Sequence, residues 1–236
     1  MDHHCRGSRA RGVEAVSADR LVTSAGELHA RPISNEALVE VLQISRPAVV
    51  LGSTQSFDLV DTDRAAALGF EVVRRRSGGG VVILQPDDHV WIDVTVPRGH
   101  PLWHDDVERA TWWLGEAWCE ALAATFGGGD SVEGDTGWAV HRDRLVARGG
   151  DRSVCFAALG PGEVTREGRK VVGIAQRRTK DAARFQCTVF RSIDVALYSS
   201  LLRDVVASGL GEAAGVGEKL SAIAGAVVLR LSEALG

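Results

Sequence analysis

Phe70-Glu71-Val72-Val73-Arg74-Arg75-Arg76-Ser77-Gly78-Gly79-Gly80-Val81-Val82-Ile83-Leu84 places a triple glycine between two apolar, β-branched runs. A strand is expected to run into the glycines and a second strand out of them. Three consecutive glycines lose much backbone entropy on ordering, so an ordered run needs a reason. One reason is a loop whose bare backbone lies against a ligand, with the neighbouring arginines offering bidentate donors to phosphate or carboxylate. The other is a hairpin turn with solvated arginines. The ending is wrong for a Walker phosphate loop, which needs Gly-Lys-Ser/Thr and then a helix. Residues 81 to 84 read as strand, which also excludes a dinucleotide fingerprint.

A second segment, Gly168-Arg169-Lys170-Val171-Val172-Gly173-Ile174-Ala175-Gln176-Arg177-Arg178, is again a β-branched run with small residues. Gly173 and Ala175 are two apart and share one face of a strand, leaving room for something slender. Lys170 puts an ammonium at one end of that channel. A plain buried strand with a basic turn after it is the competing reading.

Together the two segments resemble the lipoate–protein ligase and octanoyltransferase family. That family pairs an Arg-Arg-x-Ser-Gly-Gly-Gly loop with a later Lys-x-x-Gly-x-Ala strand. The loop corresponds to Arg74, Arg75, Ser77, Gly78, Gly79 and Gly80, and the strand to Lys170, Gly173 and Ala175, continuing into Gln176 and Arg177. Upstream, Val49-Val50-Leu51-Gly52-Ser53-Thr54-Gln55 resembles the family's apolar strand ending in Gly-x-x-Gln.

The resemblance implies a fold and a chemistry. The fold is the catalytic domain shared with biotin–protein ligases: α+β, with a mixed, largely antiparallel sheet flanked by helices. The chemistry is protein lipoylation, in which a lipoyl or octanoyl group is transferred to a lysine of a lipoyl carrier domain. Ligases of the family use ATP to make an acyl-adenylate first; a magnesium ion could accompany it, though the sequence shows no site for one. By position, Arg74, Arg75, Ser77, Gly78, Gly79 and Gly80 would hold the ligand, with Gly173 and Ala175 beside it. Arg177 would contact phosphate, and Lys170 would stabilise charge at the reacting carboxyl.

Cys155-Phe156 resembles the pair that supplies the nucleophile in the cysteine-dependent octanoyltransferases of the family. There a thioester replaces the adenylate. Residues 153 to 158 are expected as a strand, with Val154 and Phe156 facing away from Cys155. Cys187, near where relatives carry His-Gly, is a weaker rival nucleophile. A non-catalytic relative that binds an acyl ligand or a lipoyl domain is the third reading. Two departures bear on it: Ile83, Leu84 and Gln85 stand where relatives have an aromatic residue and His-Asp, and no accessory domain is expected after the catalytic one. The implied partners are the lipoyl domain of a 2-oxoacid dehydrogenase, the glycine cleavage H protein and an acyl carrier protein.

Composition sets the wider frame. The chain has 236 residues, 45% of them hydrophobic, and a net charge of -4. A sizeable core is expected, and no overall charge favours nucleic acid. Cys5, Cys119, Cys155 and Cys187 are far apart and show no metal spacing, which suits a reduced, cytoplasmic chain. No apolar run has the length of a membrane span. Residues 1 to 25 are expected as a disordered tail carrying His3-His4-Cys5, and residues 26 to 236 as a single catalytic domain.

Along the chain, Ser34 is a candidate cap for a helix over 36 to 42. Residues 48 to 51 read as a buried strand, and Asp61 caps a short helix closed by Gly69. Residues 90 to 96 read as a strand broken by Asp93. Helices are expected over 105 to 126, over 195 to 207 behind an Asp194 cap, and over 220 to 235.

Overall fold

A computed structural model of the protein describes residues 20–126, 137–147, 152–203 and 207–236. Regular structure begins at β1 (Leu21–Thr23), inside the span expected as a tail; residues 1–19, with His3-His4-Cys5, lie outside the described residues. Ser24 is next, a capping-box residue for α1 (Ala25–Ala30), its hydroxyl accepting from the Glu27 amide. Then come β2 (Leu38–Ile44), β3 (Ala48–Leu51), α2 (Thr62–Ala67), β4 (Glu71–Arg74), β5 (Val82–Leu84), β6 (His89–Pro97) and α3 (Trp112–Phe126). The second half contains β7 (Trp138–Val140), β8 (Val146–Ala147), β9 (Ala158–Leu159), β10 (Val164–Arg166), β11 (Arg169–Arg178), β12 (Ala182–Phe190), α4 (Val195–Leu201) and α5 (Leu220–Leu235).

Seven strands form the main sheet in the order β1-β2-β6-β12-β11-β10-β7. All its pairings are antiparallel except β1 with β2. A second sheet, β4-β3-β5, pairs β3 parallel to β4 and antiparallel to β5. The two strands that flank the triple glycine therefore sit on either side of β3, and the loop bridges them. The architecture is α+β with a mixed, largely antiparallel sheet.

One face of the main sheet is sealed by α3 and α5. Ile92, Val94, Phe185, Cys187 and Val189 pack there against Leu114, Trp118, Ile223 and Val227. The opposite face meets the small sheet, α1 and α4 through Trp91, Phe156 and Phe190. On β6 and β12 this second face carries the buried polar residues Asp93, Thr95, Arg184 and Gln186.

The helix expected over 36 to 42 is strand β2. Ser34 Oγ does accept from the Glu36 amide at 3.0 Å, but Leu38 to Leu42 pair antiparallel with β6. A ladder partner decided between two ways of burying Leu38, Val39, Val41 and Leu42. The helix expected from 105 begins at Trp112, after a 3₁₀ turn Arg109–Thr111 whose first amide, that of Arg109, donates to Asp106 Oδ1. The helix expected to reach 207 stops at Leu201, where Leu202 is extended. Asp61 and Asp194 cap α2 and α4 as expected, each accepting from the amide three residues on. Among the described residues no helix is long and apolar enough to cross a membrane.

Candidate functional site

Gly80 shows why the loop is made of glycine. A methyl group placed on it would sit 2.6 Å from the Cys155 amide nitrogen and 2.6 Å from the Ser153 carbonyl oxygen. The chain from Ser153 to Cys155 is zipped to Val81: the Val81 amide donates to Ser153 O (2.7 Å) and the Cys155 amide to Val81 O (3.0 Å). Gly79, at φ +95°, turns the loop so that its carbonyl lies 1.9 Å from where a Gly52 side chain would begin. Gln55, the last residue of the Gly-x-x-Gln element, closes the arrangement. Its Oε1 accepts from the Gly52 amide (2.9 Å) and its Nε2 donates to Ser153 O (2.7 Å). The loop is built to hold the segment that carries Cys155.

Cys155 opens a 3₁₀ turn, Cys155–Ala157, rather than a strand. The expected alternation therefore fails, and Cys155 and Phe156 face the same space. That space is a narrow slot lined by Val50, Val82, Leu84, Trp91, Phe156 and Ala175, among others. Leu84 thus occupies the slot wall in the stretch where His-Asp was expected. Gly173 lies under the Phe156 ring, and a methyl on it would come within 3.1 Å of that ring. The small-residue face read from Gly173 and Ala175 is the floor of the slot.

A second, open cleft of about 960 Å³ lies beside the first and is lined by Gly78, Gly79, Gly80, Glu163, Lys170 and Gln176, among others. Arg75, Cys155 and Ala175 line both spaces. Cys155 therefore stands where an apolar slot opens into a polar cleft. The amides of Ser77, Gly78, Gly79 and Gly80 donate to no protein acceptor among the described residues. Successive free amides of this kind suit an anionic group.

Lys170 is buried. Its side chain is 2% exposed, and its Nζ lies 2.7 Å from Glu163 Oε2. It also donates to Cys155 O and Ala158 O, both at 2.9 Å, which uses all three protons of an ammonium. Glu163 is held in turn: Oε2 accepts from the Gly160 amide (2.7 Å) and Oε1 from the Ile174 amide (3.0 Å). Lys170 thus grips both ends of the turn that carries Cys155. A register shift in the β10–β11 ladder, where Val164 faces Val172 but Thr165 faces Lys170, skips Val171 and turns Lys170 onto the face of Gly173.

Arg75 supplies the charge nearest the thiol. It is 5% exposed, and its guanidinium donates to Gly78 O (2.9 Å) and Gly80 O (2.8 Å). Burial lowers its pKa, and its interactions with Cys155, including a hydrogen bond, oppose that shift. Ser77 Oγ donates to Gln186 Oε1 at 2.7 Å, behind the loop. Arg74 does not join the site: its guanidinium stacks over the Phe57 ring at 4.5 Å, because the strand alternation that turns Arg75 inward turns Arg74 out. Arg177 lines neither space. Its pKa is lowered by burial and by the nearby Arg76 and Arg184, and its Nη1 is buried without a partner. Cys187 is fully buried on the helix-covered face, where burial raises its pKa; it is no rival to Cys155.

Glu163, His29 and the Gln55–Ser153 bond went unread in the sequence. Glu163 sits in a Gly-Pro-Gly-Glu turn, where a carboxylate reads as solvated, and nothing in one sequence links it to Lys170. Among the described residues no cluster of three or more His, Cys, Asp or Glu could hold a metal ion.

An apolar slot thus meets a thiol, a guanidinium and a run of amides that donate to no protein acceptor among the described residues. The family model of the lipoyl protein ligase A/B catalytic domain matches residues 19–224, and the chain belongs to that family. Octanoyltransferase LipM of Staphylococcus aureus is 30% identical over 139 residues, which cover 58% of this chain and 47% of the relative. The same-named protein of Macrococcus caseolyticus is 31% identical over the same lengths. The matches span about half the length of these relatives. Among solved structures, lipoate-protein ligase A bound with ATP superimposes with a TM-score of 0.65 at 16% identity, over 92% of this chain and 84% of that one. The bi-partite lipoate protein ligase of Thermoplasma acidophilum, described with its E2 lipoyl domain, gives 0.61 at 16% identity, over 92% and 82%. These likenesses show the fold.

Proposed function

We propose that the protein is an acyltransferase of protein lipoylation that carries an octanoyl or lipoyl group as a thioester on Cys155. The position of Cys155, at the junction of the apolar slot and the open cleft, carries this reading. The acyl chain would lie along Gly173 and Ala175, with its carbonyl carbon at Sγ. In the first step Cys155 Sγ attacks the carbonyl of a carrier-bound acyl thioester. The new S–C bond forms as the carrier's sulfur leaves and takes up the thiol proton. In the second step a lysine amine of the acceptor attacks the Cys155 thioester, an amide forms, and the thiol regains its proton. Arg75 and the free loop amides face the oxygen that becomes negative in both steps. An acyl carrier protein is the donor this chemistry asks for. The acceptor is a lipoyl domain of a 2-oxoacid dehydrogenase or the glycine cleavage H protein, in keeping with the lipoyl domain described beside the Thermoplasma ligase.

Incubation with an octanoyl thioester and no acceptor should add one acyl mass, stable to acid and released by hydroxylamine. Cys155→Ser should abolish adduct and transfer together. The size of the cleft and its free amides also suit a nucleotide, as in the ATP-bound ligase of the same fold. ATP-dependent lipoylation that survives Cys155→Ala would establish that ligase reading and end the thioester one.

A further inference from the structure

The slot is lined mostly by apolar residues, with His29 and Gln186 among its polar ones. His29, in the last turn of α1, lies against Trp91 with ring centroids 4.7 Å apart and is 6% exposed. Its Nδ1 is 3.2 Å from Gln186 Nε2. An amide nitrogen only donates, so Nδ1 is the acceptor of that bond. On its other side Gln186 Oε1 accepts from Ser77 Oγ. Burial, with the charges of Arg75 and Arg184, pushes the His29 pKa down to about 3, so the ring is neutral. A neutral ring that accepts at Nδ1 carries its hydrogen on Nε2. That Nε2 is buried and has no partner. An unmet buried donor is costly, and a ligand that supplied an acceptor would recover the loss.

We infer that His29 is a specificity-determining residue: the slot favours an acyl group carrying a hydrogen-bond acceptor near its distal end over a plain alkyl chain. This rests on the slot being the acyl site. Phe156 packs over Gly173 on β11, whereas His29 stacks on Trp91 of β6, with β12 between them. Two strand spacings put roughly 10 Å between the Gly173 floor and the Trp91 strand, so a chain entering over Gly173 meets the donor away from its carboxyl end. The acceptor could be oxygen or the sulfur of a dithiolane; both chemistries meet one N–H.

The test compares loading of Cys155, read as intact mass over time, from octanoyl, lipoyl and 8-hydroxyoctanoyl thioesters in competition. The wild-type protein should load an acceptor-bearing group about three- to tenfold faster than octanoyl, the effect of one hydrogen bond. If hydroxyoctanoyl alone gains, the partner is oxygen; a gain for lipoyl shows that sulfur serves. His29→Phe keeps a ring on Trp91 and should erase the preference; His29→Gln, which keeps a donor, should restore part of it. Equal loading of all three by the wild type, or a preference that persists in His29→Phe, overturns the inference while leaving the acyl reading intact. Failure of every acyl group to load would remove both.

Discussion

Lys170 Nζ lies 2.7 Å from Glu163 Oε2 with both side chains at least 95% buried, and the same ammonium holds the main-chain carbonyls of Cys155 and Ala158. The charge that the motif lysine brings to this site is used to position the turn that presents Cys155. The thiol's charged neighbour is Arg75 instead.

Lys170→Ala should therefore destabilise the protein as well as inactivate it. Removing one member of a buried pair strands the other, at about 3–5 kcal/mol. Urea unfolding should show that loss for Lys170→Ala and for Glu163→Ala. In the double variant the losses should be well short of additive, because the second substitution removes the stranded charge. A Lys170→Ala protein of wild-type stability would overturn the positioning role.

Neighbouring glycines should respond very differently to one methyl group. Gly78→Ala meets nothing within 4 Å at an ordinary φ, so its melting temperature should stay within a degree or two of wild type, the scale of a neutral surface change. Gly80→Ala places a methyl 2.6 Å from three backbone atoms of the 153–155 segment and should lose several kcal/mol, with Cys155 displaced. The accessibility of the Cys155 thiol to a disulfide reagent would report that displacement.

Arg75→Lys keeps a charge but not the fork that spans two carbonyls. Nη2 holds both the Gly78 and Gly80 carbonyls while Nε adds a second bond to Gly78 O, and a lysine has no counterpart to that second nitrogen. Thioester formation should slow on the order of a hundredfold, as when a preorganised oxyanion donor is lost. Single-turnover loading from octanoyl thioester measures it, and an unchanged rate would remove Arg75 from the chemistry.

Acid should weaken the fold before carboxylates in general are protonated. Burial pushes the His29 pKa down to about 3 and the His89 pKa to about 4, from 6.5. The native state thus binds fewer protons than the unfolded one between pH 6.5 and those values, and stability falls as pH falls through that window. Asp93 acts oppositely. Burial raises its pKa to about 6, against the pull of Arg184, so it gains stability as pH falls from about 6 to 3.8. With two histidines against one carboxylate, the melting temperature should drop between about pH 6.5 and 4.5. His89→Gln should flatten that slope, and an unchanged slope would exclude His89 as a source.

The sequence by itself determined the local events and the list of parts. Short apolar, β-branched runs marked β3, β6 and β11, side chains of Asp61 and Asp194 marked where α2 and α4 begin, and the triple glycine marked a backbone that must come close to something. The mixed α+β class and the family were legible for the same reason, since motif and period are properties of neighbouring residues. The tertiary structure decided what lay between distant segments. Residues 38–42 became strand because β6 offered a ladder, overriding a local helix cap. Whether Lys170 is a free charge or a buried tie depended on Glu163 and on the register shift that turns it inward. The orphan donor of His29 exists only because Gln186, far along the chain, occupies its other nitrogen. Burial and hydrogen bonding across the fold set the protonation and reach of these groups, and a chain read residue by residue carries neither.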